Sequence, residues 1–323
     1  MKISRLLISA LMATCFLATA QEPYPSRPVT LVLGFAPGGA GEQVVRPLEK
    51  ELATQLGKPL ILEHRPGATG AIAASAVARA SPAGYTLLIA GTGGHAILPA
   101  ISPKLNFDPV NDFTPIAALC GGPNVLLVNN DLPVTNLEQV ISYARQHPGK
   151  LNFGSTGHGS SLHMSGELLK QMANIDIVHV PFQGGGPMMV ALLSGQIQMA
   201  FANLPAALAQ IRGGQVRAIA VTSPQRFPGT PTIPTFAESG LPGYEVTSWY
   251  ALFGPRNMPQ PIVERLNKEI NAVLHSADYK ANLLVNGLIP IGGTPADLRY
   301  MLAKEISKWR EVVRALNILK NGS

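Results

Sequence analysis

Four times along this chain a short β-prone run stops at a glycine-rich loop, and that repeat constrains the fold more than any single residue type. In the first copy Val29 to Leu33 leads into Gly34-Phe35-Ala36-Pro37-Gly38-Gly39-Ala40-Gly41, and Glu42 to Leu56 then reads as a helix. A strand that ends in a glycine turn and opens a helix aims several unpaired backbone N–H groups at one point. The helix dipole favours negative charge there as well. Gly38, Gly39 and Gly41 leave room for a ligand to approach the main chain, because no Cβ intervenes. A plain βα turn has the same pattern, so this loop alone divides evenly between a structural and a binding role.

The other three loops follow the same rule. Thr86 to Ala90 runs into Gly91-Thr92-Gly93-Gly94-His95, Leu151 to Phe153 into Gly154-Ser155-Thr156-Gly157-His158-Gly159-Ser160-Ser161, and Ile175 to Val180 into Gln183-Gly184-Gly185-Gly186. Ligands of open parallel sheets bind at strand ends, so these loops predict one cleft lined by backbone donors and hydroxyls. Two loops fall in the first third and two in the middle, which places the cleft between two domains. Further β-prone runs span Leu60 to Glu63, Val125 to Val128, Ile197 to Phe201, Val216 to Val221 and Trp249 to Phe253. Thr135 with Glu138 predicts a capping box. Pro261 suits a first helical turn with Ile262, Leu266, Ile270, Val273 and Leu274 on one face. Thr294-Pro295 opens a last helix that carries Leu298, Leu302, Ile306, Trp309 and Val313. The expected class is α/β with mostly parallel sheet.

The beginning of the chain reads as a secretory signal. Lys2 and Arg5 precede an apolar run from Leu6 to Leu17, and Ala18-Thr19-Ala20 supplies a small-x-small cleavage pattern before Gln21. The run is shorter than the ~18 residues of a membrane span. Cys15 admits a lipoprotein alternative, which Thr14 before it and the apolar residues after it disfavour. Loss of the first 20 residues removes two basic side chains and lowers the formal charge from +6 to +4. Cys120 is then the only cysteine, so no internal disulfide is expected. With 46% hydrophobic residues and few charges the chain reads as well packed, and its basic residues form no nucleic-acid stripe. At ~150 residues per domain, two domains are expected.

Enzyme readings fare less well. Gly91-Thr92-Gly93-Gly94 imitates a dinucleotide fingerprint, yet Pro99 and Pro103 interrupt the helix it should open, and Ile116 to Leu119 ends without the acidic residue a ribose needs. No serine has the flanking glycines of a nucleophile elbow. His158 and His163, five apart, would diverge by about 140° on a helix, which speaks against zinc. His179 in its apolar strand reads as a hydrogen-bonded core residue, and Trp249 and Trp309 as core. No catalytic residue, cofactor or metal is expected.

The residues also carry a family resemblance. Tyr24-Pro25-Ser26-Arg27-Pro28, Phe35-Ala36-Pro37-Gly38-Gly39, Glu63-His64-Arg65-Pro66-Gly67-Ala68, Pro82-Ala83-Gly84-Tyr85 and Phe107-Asp108-Pro109-Val110-Asn111-Asp112-Phe113 resemble the Bug-type receptors. Leu151-Asn152-Phe153-Gly154-Ser155, Ile177-Val178-His179-Val180-Pro181-Phe182, Phe201-Ala202-Asn203-Leu204-Pro205, Ala218 to Ser223 and Gly292-Gly293-Thr294-Pro295 continue it in the family's order. Those receptors are periplasmic substrate-binding proteins of tripartite tricarboxylate transport systems. The resemblance implies a clamshell of the type II periplasmic-binding kind with strands crossing between two domains, 21–123 plus 245–323 and 124–244. It implies a ligand carboxylate gripped by the backbone of Phe35, Ala36, Pro37, Gly38, Gly39, Ala40 and Gly41, partly through water. Ser155, Thr156, Gly157 and Ser160 would close from the other domain.

At two presumed contacts the chain departs from the family: Ala40, Gly41 and Glu42 stand where a Ser/Thr pair and Asp are common, and Ala202 where Asp often precedes Asn203. The full set of expected ligand-binding residues therefore adds Glu42, Gly91, Thr92, His95, Gly184, Ala202 and Asn203. Together these features are read as a monomeric, periplasmic, non-enzymatic receptor for a small carboxylate without an ammonium group. Its expected partners are a membrane tripartite tricarboxylate transporter or a sensor protein, with no nucleic acid. The alternative is an exported hydrolase or isomerase using the same cleft.

Overall fold

The computed structural model describes residues 23–38, 40–102 and 104–315. The expected signal segment with Cys15, and Gly39 of the first glycine loop, lie outside the described residues. The first third contains Val29–Leu33 (β1), Ala40–Leu56 (α1), Leu60–His64 (β2), Ala71–Ala78 (α2), Thr86–Gly91 (β3) and Leu98–Ile101 (α3). Phe113–Val128 (β4), Leu137–Gln146 (α4), Asn152–Ser155 (β5), Ser161–Ala173 (α5), Val178–Pro181 (β6), Gly185–Leu193 (α6), Met199–Asn203 (β7), Leu204–Arg212 (α7) and Arg217–Val221 (β8) follow. Thr247–Pro255 (β9), Gln260–His275 (α8), Ala277–Val285 (α9), Ile289–Gly292 (β10) and Pro295–Ala315 (α10) close the series.

The strands hydrogen-bond in the order β2-β1-β3-β9-β4-β7-β5-β6, with β8 and β10 also on β4. Both wings are parallel: β1 pairs with β2 and β3, and β5 with β6 and β7. The centre is antiparallel, because β9 runs back between β3 and β4, and β7, β8 and β10 all oppose β4. The mostly parallel reading therefore describes the wings, while the connecting strands run against them.

Alternation sorts the side chains into layers on the two faces. Leu31, Leu33, Leu87 and Ile89 pack under α1 and α8, whereas Val32, Leu88 and Ala90 face a second core that holds α2 and α10. In the other wing Leu126, Met199 and Phe201 join that second core, and Val125, Leu127 and Ala200 pack with α6 and α7. Helix α10 buries Leu298, Leu302, Ile306, Trp309 and Val313, the face its sequence marks.

β4 is the element that holds the wings together. Its first half pairs with β9 and its second half with β7 and β8, over 16 residues, or roughly 50 Å of chain. Pro115, Gly121, Gly122 and Pro123 punctuate it, which is why its sequence shows only Val125–Val128 as a strand. Gly122 is needed for space: a Cβ there would lie 2.6 Å from the Gly287 carbonyl oxygen. The α4 cap sits one residue later than Thr135 and Glu138 predict. Asn136 accepts from the Gln139 N–H at 2.9 Å, and Gln139 Oε1 reaches back to the Thr135 N–H at 2.7 Å. The return bond thus goes to the residue before the cap, so this is a shifted form of the expected capping box.

Candidate functional site

The C-terminal ends of β1, β3, β5, β6 and β7 meet at a cleft of about 730 Å³, within the size range of small-molecule sites. Of the expected ligand-binding residues, Phe35, Ala36, Pro37, Gly38, Gly41, Gly91, Thr92, Thr156, Gly157, Ser160, Gly184, Ala202 and Asn203 line it. Ala40 opens α1 beside it.

His95, Ser155 and Glu42 do not line the cleft. After Gly91 the chain coils into a wide turn over Gly93–Ile97, and this carries His95 beneath the sheet among Phe113 (4.7 Å between ring centres), Phe253 (4.5 Å) and Phe107. Burial pushes its imidazole down to about 3, against a bond with the Pro109 carbonyl, and Nε2 has no partner. Ser155 is fully buried, its hydroxyl 2.6 Å from His179 Nε2 and accepting from the Gly157 N–H at 3.1 Å, so it shapes the loop from behind. Glu42 folds back onto its own loop: its carboxylate accepts from the Gly38 N–H at 2.5 Å and from Arg46 Nε at 2.9 Å. The Gly38 N–H, seconded by Arg46, holds that carboxyl below the usual range. One donor of the cradle is thereby already committed to a side chain of this chain.

Four helices begin at the walls. Gly38 and Gly41 stand at the start of α1, Ser160 and Ser161 at α5, Gly184 to Gly186 at α6, and Asn203 at α7. Ser160 caps α5 by accepting from the His163 N–H at 3.1 Å. Gly184 and Asn203 make no side-chain cap bond, which leaves the N–H groups of Gly185, Gly186 and Leu204 without a side-chain partner, while Pro187 and Pro205 in the same turns have no N–H. The Asn203 amide donates instead to Asn124 Oδ1 (2.8 Å) and Ser248 Oγ (2.9 Å). Ser248 in turn donates to Asn124 and meets Ser161 Oγ at 2.7 Å, so a polar network crosses the cleft floor from β4 through β9 to α5. The described lining residues include no Lys, Arg, Asp or Glu. Negative charge in the cleft is thus favoured by helix N-termini rather than by a formal positive charge.

Several wall residues escape a reading of strand ends alone. Pro66 to Thr69 forms one rim, with Ala68 (φ 47°) and Thr69 (φ 54°) in the left-handed region. Thr69 Oγ1 donates across the cleft to the His158 carbonyl at 2.7 Å. Gln210 reaches the wall from α7 with Oε1 unpartnered, and Phe182, Met188 and Tyr250 supply apolar surface. The Phe35 ring packs edge-on to Tyr250 at 5.5 Å and fills the space that side chains at Gly41 and Gly91 would take.

The histidine spacing argument also fails, because His158 is not on a helix. It sits in the loop before α5, between Gly157 (φ 111°) and Gly159 (φ 74°), while His163 lies in the first turn of α5 and His179 in β6. The three rings converge, with centres 5.2, 4.9 and 4.1 Å apart. Burial, seconded by His158, pushes His163 down to about 4; burial, seconded by His163, pushes His179 down to about 3.

Two sheet wings joined by shared strands, with a mid-sized cleft at their strand ends, define the class of two-lobed α/β solute-binding proteins. Residues 44–318 match the tripartite tricarboxylate transporter family receptor, and the chain belongs to that family. Protein BugT of Bordetella pertussis is 32% identical over 319 residues, covering 97% of this chain and 98% of its own length. An R. palustris protein solved with adipate is 37% identical with a TM-score of 0.89, covering 91% of this chain and 98% of its own. MatC from Rhodopseudomonas palustris, with bound malate, is also 37% identical with a TM-score of 0.85, covering 90% of this chain and all of its own. Among the described residues no helix is long and apolar enough to cross a membrane.

Proposed function

We propose that this chain is an exported, periplasmic receptor that captures a small carboxylate lacking an ammonium group and presents it to a membrane transporter or a sensor. The observation that carries this reading is the convergence of four helix N-termini on a cleft whose described wall residues include no Lys, Arg, Asp or Glu. Backbone N–H groups there can hold a carboxylate at about 1.5–3 kcal/mol per charged hydrogen bond. An ammonium group would be buried without an acidic partner, because Ala202 presents a methyl and Glu42 is turned onto Gly38 and Arg46. Gln210, with its open Oε1, suits a hydroxyl or protonated acid at the far end of the ligand. The adipate and malate of the two solved relatives support the ligand class.

The segments 21–123 plus 245–323 and 124–244 act as the lobes, hinged where β4 and β9 cross, and a monomer suffices. An exported enzyme is the weaker reading. Ser155 and His179 form a Ser–His pair, but Ser155 is fully buried behind the loop, does not line the cleft, and its hydroxyl also bonds the Gly157 backbone.

Isothermal calorimetry with adipate, malate and succinate against glutamate and aspartate tests the proposal. Binding of at least one acid of the first group, with none of the amino acids, is the expected result. Binding of glutamate or aspartate alone, or turnover of any bound acid, would overturn it.

A further inference from the structure

His158 lines the carboxylate cleft and His163 and His179 do not, and the carboxylate reading gives the three rings no common task. One nitrogen from each falls within 4.8 Å of the other two, with one residue exposed, one buried and one half-buried. Three separate elements deliver them: a glycine-flanked loop, a helix start and a strand. We propose that these three imidazoles form a binding site for a late first-row divalent metal ion, with Zn²⁺ as the reference case.

The chemistry of the three rings suits a metal ion. Imidazole nitrogen suits zinc, nickel and copper, and three protein ligands with an open position are a standard arrangement. His179 has the supporting contact that orients a metal-binding imidazole, Ser155 Oγ at Nε2 (2.6 Å), whereas His163 Nδ1 accepts from the Gly159 N–H at 3.3 Å, a long bond that must be given up for that lone pair to reach a metal. Glu167 Oε1 lies 3.9 Å from His163 Nε2 and is shared with Lys170 Nζ at 3.4 Å, so the local charges are already paired before a metal enters.

Coordination requires some movement. With metal–nitrogen bonds near 2.0 Å, tetrahedral ligand atoms stand about 3.3 Å apart, so the cluster must tighten by roughly 1–1.5 Å and the rings must turn. His158 is placed to supply that movement, being exposed between two glycines. The bland alternative is that three neutral rings merely fill space. That role would not need the exposed His158, whose removal leaves His163 and His179 in place.

The experiment uses the protein without a polyhistidine tag, stripped with chelator and titrated with Zn²⁺ by calorimetry and with Co²⁺ by visible absorption. One ion per chain is expected, with the intense bands of a four- or five-coordinate Co²⁺ site. His158→Ala should weaken binding by about tenfold or more while the melting temperature in chelator stays unchanged. His163→Gln, checked for fold by circular dichroism, should do the same. Absence of binding by the parent, or equal binding by parent and His158→Ala, would overturn the proposal. Carboxylate binding measured in chelator is independent of this result, so the two readings fail separately.

Discussion

His95 lies among Phe107, Phe113 and Phe253 with its Nε2 unpartnered, so the folded protein resists protonating it until about pH 3, while the unfolded chain takes up the proton near 6.5. Stability from this residue is therefore complete above pH 6.5. It declines as pH falls, by up to about 1.4 kcal/mol per unit, until the folded form also protonates. Urea unfolding of His95→Phe at pH 7 and pH 4.5 should show a smaller loss than the parent, and equal losses would refute the assignment. At Gly91 the constraint is space: a Cβ would stand 3.0 Å from Phe35 Cζ. Gly91→Ala should therefore push the Phe35 ring into the cleft and weaken carboxylate binding several-fold in calorimetry, at a stability cost of about 1 kcal/mol. At this scale the sequence marks which loops matter but not which way a side chain points. His95 follows a glycine loop as a ligand would, and only the coiling of the Gly93–Ile97 turn takes it away.

Helix starts are the working elements of the cleft, and they can be tested by charge. Gly186 lies in the first turn of α6, and the place its Cβ would take has nothing within 4 Å. An acid placed there meets the same dipole as the ligand does. Gly186→Asp should stabilise the fold by about 0.3–1 kcal/mol and at the same time weaken carboxylate binding, a pair of opposite effects that thermal melting and calorimetry separate. Unchanged binding would remove α6 from the site. Glu42 plays that part for α1 in the natural chain by occupying the Gly38 N–H. Glu42→Gln should tighten carboxylate binding a few-fold, most at low salt, and lower stability by about 0.3–1 kcal/mol. Helices with one apolar face, such as α10, are legible from periodicity because a single side is buried. β4 is not, because its glycines and prolines serve close backbone approach and bulges at the crossing. The histidine trio is illegible for a related reason: its members belong to three elements, and spacing along the chain says nothing about where loops return.

At the scale of the whole molecule the ligand has to be reached from both walls. The loop at Gly157 to Ser161 and the loop at Phe35 to Gly41 stand on different wings, and the Thr69 to His158 contact already links them across the opening. Solution scattering with a confirmed ligand should therefore show a smaller radius of gyration than without it; identical curves would indicate a site that does not close. Sixteen residues of β4 shared between two sheets have a further consequence, for how the chain comes apart. Neither wing can lose its half of that strand without stripping the central partner from the other, so a half-unfolded species has no intact sheet to shelter in. Denaturant melts followed by tryptophan fluorescence, from Trp249 and Trp309, and by far-ultraviolet dichroism should superimpose on one transition, which is the mark of a single cooperative unit in a chain that looks like two.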